Sequence, residues 1–126
     1  MNKKVLVIDD DHEILELLTV IMEKEGYEVT TSDTGIEGLK LARASIPDAI
    51  VLDLMLPDIS GLKVARLLKG EKNTAHVPIL MLTALNDKRN KVMGYESDAD
   101  DYETRPFEPS VIAGKVKTLL ERKETK

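Results

Sequence analysis

The chain lacks several kinds of residue, and each absence excludes a class of protein. It has 126 residues and no cysteine, which excludes disulfides, a cysteine nucleophile and a zinc site built from thiolates. With three Tyr, one Phe and no Trp, the core must be filled by aliphatic side chains. No apolar run is long enough for a membrane span or a secretion signal, so we expect a cytoplasmic location and no membrane partner.

An excess of basic residues is also missing. The chain has 18 Lys and Arg against 23 Asp and Glu, a net charge of −5. This balance argues against direct nucleic-acid binding by the domain, because phosphate groups are bound by clustered Lys and Arg. The length fits one domain, which we place at residues 1–122, followed by a charged tail or linker start at 123–126.

Short aliphatic runs alternate along the chain with segments of helical periodicity. Three runs without polar alternation are typical of strands buried on both faces, and two weaker strand patterns occur at residues 27–31 and 99–103. The three runs are residues 5–8, 49–52 and 77–82, and the helical segments are 14–22, 36–42, 62–68, 87–96 and 111–120. This alternation predicts a single-domain α/β fold, a doubly wound parallel sheet with helices on both faces.

Charged and polar residues follow the predicted strands, where ligands of such sheets bind. Asp9, Asp10 and Asp11 follow the first strand, and Asp53 follows the third. Two carboxylates about 4 Å apart repel by roughly 4 kcal/mol at an effective dielectric near 20, so a cluster needs a cation or protons. Oxygen ligands without His or Cys suit Mg²⁺, which we predict at this edge of the sheet.

A purely structural interpretation accounts for only part of the acidic cluster. Asp10 and Glu13 fit a capping box at the start of the first helix, and Asp11 favours the dipole of that helix. Neither role explains Asp53, which arrives from a different strand.

Five blocks of sequence, in order, resemble the receiver domain of bacterial two-component response regulators. The resemblance is closest to the winged-helix (OmpR-like) transcription-factor branch. The blocks are residues 5–10 (VLVIDD), 51–57 (VLDLMLP) with Gly61 beyond it, 78–84 (PILMLTA), 99–102 (ADDY) and 106–107 (PF).

This resemblance implies a flavodoxin-like sheet of order 2-1-3-4-5 and a phosphoacceptor signalling domain rather than an enzyme. Asp53 would take a phosphoryl group from a phosphohistidine on a sensor histidine kinase or a phosphotransfer protein. It also implies direct Mg²⁺ ligation by Asp10, Asp53 and the Met55 backbone carbonyl, with Asp9 acting through water. The Thr83 hydroxyl and the cation at position 105 would contact the remaining phosphoryl oxygens.

The resemblance further implies a switch and an interaction face. Thr83 and Tyr102 match the pair that couples phosphorylation to the face formed by the fourth helix, fifth strand and fifth helix. Lys91, Asp101 and Lys115 match residues through which relatives of this branch form homodimers across that face. Val111 stands where a glutamate usually faces the position of Lys91, so we expect weak dimerisation.

Arg105 is the main departure from the family, which almost always has Lys before this proline. Arg keeps the charge but presents a larger planar fork, so we expect phosphorylation to persist and its coupling to the output face to change. The family's bond at this point is cis, and we expect the same of Arg105–Pro106. The exchange keeps open an alternative, a phosphorylation-independent pseudo-receiver that acts only as an interaction module.

A remote alternative is a haloacid dehalogenase-like phosphatase, whose nucleophile motif Asp9 and Asp11 resemble. That motif requires Thr or Val two residues after the second aspartate, where this chain has Glu13. The chain is also short for that fold and its cap.

Overall fold

A computed structural model describes residues 2–84 and 99–124 of the chain. The strands of this part are β1 (Lys4–Ile8), β2 (Glu28–Ser32), β3 (Ala49–Asp53), β4 (Ile79–Ala84) and β5 (Asp101–Arg105). Its helices are α1 (His12–Lys24), α2 (Gly35–Ser45), α3 (Gly61–Lys69) and α4 (Pro109–Glu124). The helix predicted over residues 87–96, which includes Lys91, lies outside the described residues.

The strands form one parallel sheet of order β2-β1-β3-β4-β5, which confirms the predicted topology. Ile8 pairs with Leu52, and Asp53 pairs with Leu82. Ala84 pairs with Arg105 at the end of the neighbouring strand pair. The carboxyl ends of the four neighbouring strands β1, β3, β4 and β5 are therefore nearly level, and the residues at these ends meet at one edge of the sheet.

Alternate residues of the strands enter two apolar layers, one on each face of the sheet. Val5 and Val7 pack with α1 and α4, whereas Leu6 and Ile8 pack with α2 and α3. The buried members of both layers are aliphatic, as the scarcity of aromatic residues predicted. In the described part of the chain, no helix combines the length and apolar character needed to cross a membrane.

The start of α1 corrects one interpretation of the acidic cluster. Asp11 is the N-cap, and its carboxylate accepts hydrogen bonds from the backbone N–H groups of Glu13 and Ile14. The capping role suggested for Asp10 with Glu13 was therefore wrong, because the helix starts one residue later. The Asp10 carboxylate lies instead with those of Asp9 and Asp53.

Strand β5 begins two residues later than the pattern over 99–103 suggested. Asp100 comes directly before the strand, and its backbone N–H donates to the Ile79 carbonyl at 2.8 Å. Its carboxylate accepts from the Ile79 N–H at 2.7 Å and from the Lys69 ammonium at 2.8 Å. The shift makes Arg105 the last residue of the strand rather than part of the following loop.

Strand β4 likewise begins later than residues 77–82 suggested. Pro78 has no N–H for a strand ladder, and the Val77 N–H donates to the Thr74 carbonyl in the preceding turn. The strand instead continues to Ala84, so Thr83 is part of it.

Gly61 starts α3 directly against the backbone of β3. A Cβ atom there would lie 2.2 Å from the Asp53 carbonyl oxygen, and backbone atoms cannot move away as a flexible side chain can. We expect Gly61→Ala to cost roughly 3 kcal/mol of unfolding free energy, measured by urea denaturation. Gly114→Ala in α4 is the control, because a Cβ there meets nothing within 4 Å. It should instead stabilise the helix by about 0.5 kcal/mol, and similar effects of the two variants would contradict the expectation.

Candidate phosphoacceptor site

The carboxyl ends of the strands bring four predicted site residues to one edge of the sheet. Asp9 follows β1, Asp53 ends β3, Thr83 lies one residue before the end of β4, and Arg105 ends β5. Asp9, Asp53 and Thr83 are buried, with relative exposures of 0%, 6% and 2%. The strand ends therefore place buried polar groups at the carboxyl edge of a sheet whose interior is otherwise aliphatic.

Three carboxylates converge at this edge. Asp9, Asp10 and Asp53 each offer an oxygen atom, and these three atoms lie within 4.8 Å of one another. Asp10 is exposed, whereas the other two are buried, so the cluster opens to solvent on the Asp10 side. A set of hard oxygen donors with one open side fits Mg²⁺, which retains several of its waters when bound by proteins.

The Arg105 guanidinium is the cation nearest to two of these carboxylates among the described residues. Its Nη2 group donates to Asp9 Oδ2 and lies 3.3 Å from Asp53 Oδ1. The side chain is 28% exposed, so the ion pairs lie between the buried sheet edge and solvent. The Arg105–Pro106 peptide bond is cis, which confirms the expectation from the sequence.

Burial and mutual repulsion leave the cluster with unfavourable charge in the absence of a metal ion. Burial, followed by the negative charge of Asp9, raises the pKa of Asp53 to about 7, although Arg105 and the Met55 N–H oppose the shift. Burial also raises the pKa of Asp9, against the opposing effects of the Asp11 N–H and Arg105. A bound divalent cation would favour the ionised form of both carboxyls.

Thr83 and Tyr102 lie on neighbouring strands. Thr83 pairs with Thr104, and Tyr102 pairs with Met81, so the two residues are offset by two positions along the β4–β5 pair. The Tyr102 side chain is half-buried and packs against the apolar layer that includes α2 and α3. Thr83 is therefore next to the carboxyl end of β4, and Tyr102 lies further from that end on β5.

The chain matches the response regulator receiver domain family over residues 5–117. It belongs to that family. It is 47% identical over 124 residues to the alkaline phosphatase synthesis transcriptional regulatory protein PhoP of Bacillus subtilis, covering 98% of this chain and 51% of that protein. It is 43% identical over 119 residues to the DNA-binding dual master transcriptional regulator RpaA of Synechocystis, covering 94% and 49%.

Solved receiver structures have the same fold. A CheY-like response regulator receiver domain protein from Methanospirillum hungatei gives a TM-score of 0.91 at 29% identity, covering 99% of this chain and 98% of that one. The Francisella response regulator 1452 receiver domain gives 0.87 at 35% identity, covering 99% and 100%. The present receiver domain spans about half the length of the transcriptional regulators that it matches. Neither the pseudo-receiver nor the phosphatase interpretation is favoured by these likenesses.

Two of the predicted interaction residues, Asp101 and Lys115, already have partners within the chain, whereas Lys91 lies outside the described residues. The Lys115 ammonium donates to the Tyr102 carbonyl at 2.6 Å, and it lies 3.2 Å from a Glu103 carboxylate oxygen. It also lies 3.5 Å from Asp101 Oδ1. Within one chain, Asp101 and Lys115 thus form an ion pair on the surface between β5 and α4.

A groove of about 1050 Å³ runs beside the edge strand β2. It is lined by α1, the end of β2 and the start of α2, including Leu17, Val20 and Glu37. Asp9, Asp10 and Asp53 are not among its lining residues. The groove and the acidic cluster are therefore distinct, although His12 and Glu13 of the groove follow the cluster closely in the chain.

The sequence did not single out Asp58, whose carboxylate links the loop after Asp53 to the start of α2. Aspartate after proline in a loop is ordinary turn chemistry, and the sequence alone does not identify the backbone groups it contacts.

Proposed function

We propose that this receiver domain accepts a phosphoryl group on Asp53 from the phosphohistidine of a sensor histidine kinase or a phosphotransfer protein. The observation that carries the proposal is the convergence of the Asp9, Asp10 and Asp53 carboxylates beside the Arg105 guanidinium. Phosphoryl transfer depends mainly on a positioned acceptor group and on neutralisation of the charge of the phosphoryl oxygens. This edge of the sheet offers both.

In the proposed step, a carboxylate oxygen of Asp53 forms a bond to phosphorus while the bond from phosphorus to the imidazole nitrogen breaks. The imidazole leaves with the electron pair, and the product is an aspartyl phosphate. Asp10, Asp53 and the Met55 carbonyl would hold Mg²⁺ directly, with Asp9 acting through water. When bound, the ion supplies positive charge for the phosphoryl oxygens.

We further propose that Arg105 and Thr83 contact the phosphoryl oxygens that Mg²⁺ does not reach. The position of the Arg105 guanidinium, whose Nη2 atom lies 3.3 Å from Asp53 Oδ1, supports this role. Its several N–H groups can form charge-assisted hydrogen bonds to a phosphoryl group at that carboxyl. Because an Arg fork differs in shape from a Lys ammonium, the coupling of phosphorylation to the switch pair Thr83 and Tyr102 should differ from that of relatives with Lys.

Intact-mass measurement after incubation with acetyl phosphate tests the proposal. We expect addition of one phosphoryl group in Mg²⁺ and none in excess chelator. Asp53→Asn should show no addition in either condition, because the amide replaces the nucleophilic carboxylate. A folded wild-type chain that gains no phosphoryl group would instead favour the pseudo-receiver, whose support is the pairing of Arg105 with Asp9 and Asp53.

We propose that phosphorylation changes the face formed by the helix predicted over residues 87–96, by β5 and by α4 (Pro109–Glu124). We also propose that homodimerisation through this face is weak. Lys115 must give up contacts with its own chain to reach a partner, which supports weak pairing. Lys91 is proposed as a further contact and lies outside the described residues. Size-exclusion chromatography should show mainly monomer before phosphorylation, and a tight dimer in that state would contradict this account.

Residues 1–122 would form the signalling domain, and residues 123–126 would start a linker, with α4 continuing to Glu124. The net charge of −5 supports a domain that does not itself contact nucleic acid. Its membership of the response regulator receiver family supports our proposal that it acts in the cytoplasm.

A further inference from the structure

The loop between β3 and α3 is fastened to α2 by one carboxylate. Asp58 Oδ1 accepts a hydrogen bond from the Gly35 N–H, and Asp58 Oδ2 accepts one from the Ile36 N–H, each at 2.8 Å. The donors are the first two backbone groups of α2, more than 20 residues earlier in the chain. These bonds hold the pKa of Asp58 below its usual range, so the carboxylate stays ionised near neutral pH.

The base of the same loop is fixed by backbone hydrogen bonds. The Leu54 N–H donates to the Leu82 carbonyl at 2.9 Å, and the Gly61 N–H donates to the Leu54 carbonyl at 2.8 Å. Asp58 adds two charge-assisted hydrogen bonds at the far side of the loop, beside Ile59, which packs against Gly35.

Met55 lies between these anchors and contacts Asp53. Its backbone N–H donates to Asp53 Oδ1 at 3.3 Å, whereas its side chain is 65% exposed and contributes little packing. The orientation of the Met55 peptide groups therefore depends on how firmly the ends of the loop are held, and not on burial of the Met55 side chain.

We propose that Asp58 is a positioning residue for the phosphoacceptor site. By fixing the loop to α2, it holds the Met55 N–H against the Asp53 carboxylate. On the proposed function, it also holds the Met55 carbonyl where Mg²⁺ binds. Asp58 acts through the loop and touches neither the metal ion nor the phosphoryl group. Asn at this position would keep one acceptor but place an N–H₂ group against the second backbone donor.

Calorimetric titration with MgCl₂ of wild type, Asp58→Asn and Asp48→Asn tests the inference. Asp48 is a matched control, because its carboxylate also accepts a backbone N–H, that of Lys4 at 2.8 Å, but at the opposite end of the sheet. We expect Asp58→Asn to bind Mg²⁺ roughly 10-fold more weakly, the size of effect typical for residues that orient metal ligands. Asp48→Asn should bind as wild type does.

Thermal unfolding of the same three proteins separates positioning from simple stabilisation. If Asp58→Asn lowers the melting temperature as Asp48→Asn does and binds Mg²⁺ like wild type, Asp58 is only a structural cap and the inference is wrong. If folded wild type and Asp48→Asn both fail to bind Mg²⁺, the proposed metal site fails and this inference fails with it. Normal binding by the control with weakened binding by Asp58→Asn alone supports the positioning role.

Discussion

In metal-free buffer at about pH 8, Asp53→Asn should unfold at a melting temperature roughly 8 °C above that of wild type. Burial and the Asp9 charge raise the pKa of Asp53 to about 7 from an ordinary value of 3.8. Such a shift corresponds to at most about 4 kcal/mol. We expect roughly 2 kcal/mol, because water at the sheet edge screens the repulsion.

The pH dependence of wild type follows from the same shift. The folded chain keeps the Asp53 proton up to about pH 7, whereas the unfolded chain loses it near the ordinary pKa of 3.8. Folded chains therefore bind more protons across this interval, and the unfolding free energy contributed by Asp53 falls as pH rises through it. Thermal melts in chelator should show this fall in wild type and a much smaller one in Asp53→Asn. A variant no more stable than wild type at about pH 8 would contradict the account.

Arg105→Ala should have the opposite effect, a loss of roughly 3 kcal/mol in chelator at about pH 8. Asp9 is fully buried. Its carboxylate accepts a hydrogen bond from the Asp11 N–H at 2.9 Å and forms an ion pair with the Arg105 guanidinium. Removing the guanidinium leaves a buried charge without a cation, which costs more than the ion pair itself contributes. Urea denaturation measures the loss, and added Mg²⁺ should stabilise this variant more than wild type, because the ion replaces the missing positive charge.

Two further variants distinguish this cause from lost packing. Arg105→Lys keeps a cation and should retain most of the stability. Asp9→Asn combined with Arg105→Ala should be more stable than Arg105→Ala alone, because the uncompensated charge is gone. If the double variant is no more stable than the single one, Arg105 contributes through contacts other than its ion pair with Asp9.

The sheet was predictable because its strands have to be apolar on both faces. Residues 5–8 and 49–52 lack polar alternation, as central parallel strands with helices on each side require. The acidic cluster was predictable for a related reason. Asp9 and Asp53 adjoin the ends of neighbouring strands, and a parallel sheet brings such ends together.

The parts that sequence did not predict depend on long side chains or on distant backbone groups. Asp100 delays the start of β5 by accepting from Ile79, 21 residues away, and no local pattern shows that contact. Arg105 was expected at the site, but its pairing with Asp9, 96 residues away, depends on the reach of the guanidinium. Asp58 was missed because its partners are backbone N–H groups, which every residue type except proline offers.

The central claim, that Asp53 is the phosphoacceptor, is tested most directly by locating the adduct. After reaction with acetyl phosphate and Mg²⁺, borohydride reduction converts an aspartyl phosphate to homoserine before digestion with trypsin. Tryptic cleavage places Asp9, Asp10 and Asp11 in residues 5–24 and Asp53 in residues 44–63. We expect the modification at Asp53 in the peptide 44–63 alone. Modification of the peptide 5–24 would contradict the account and point to an aspartate of the first cluster as the nucleophile.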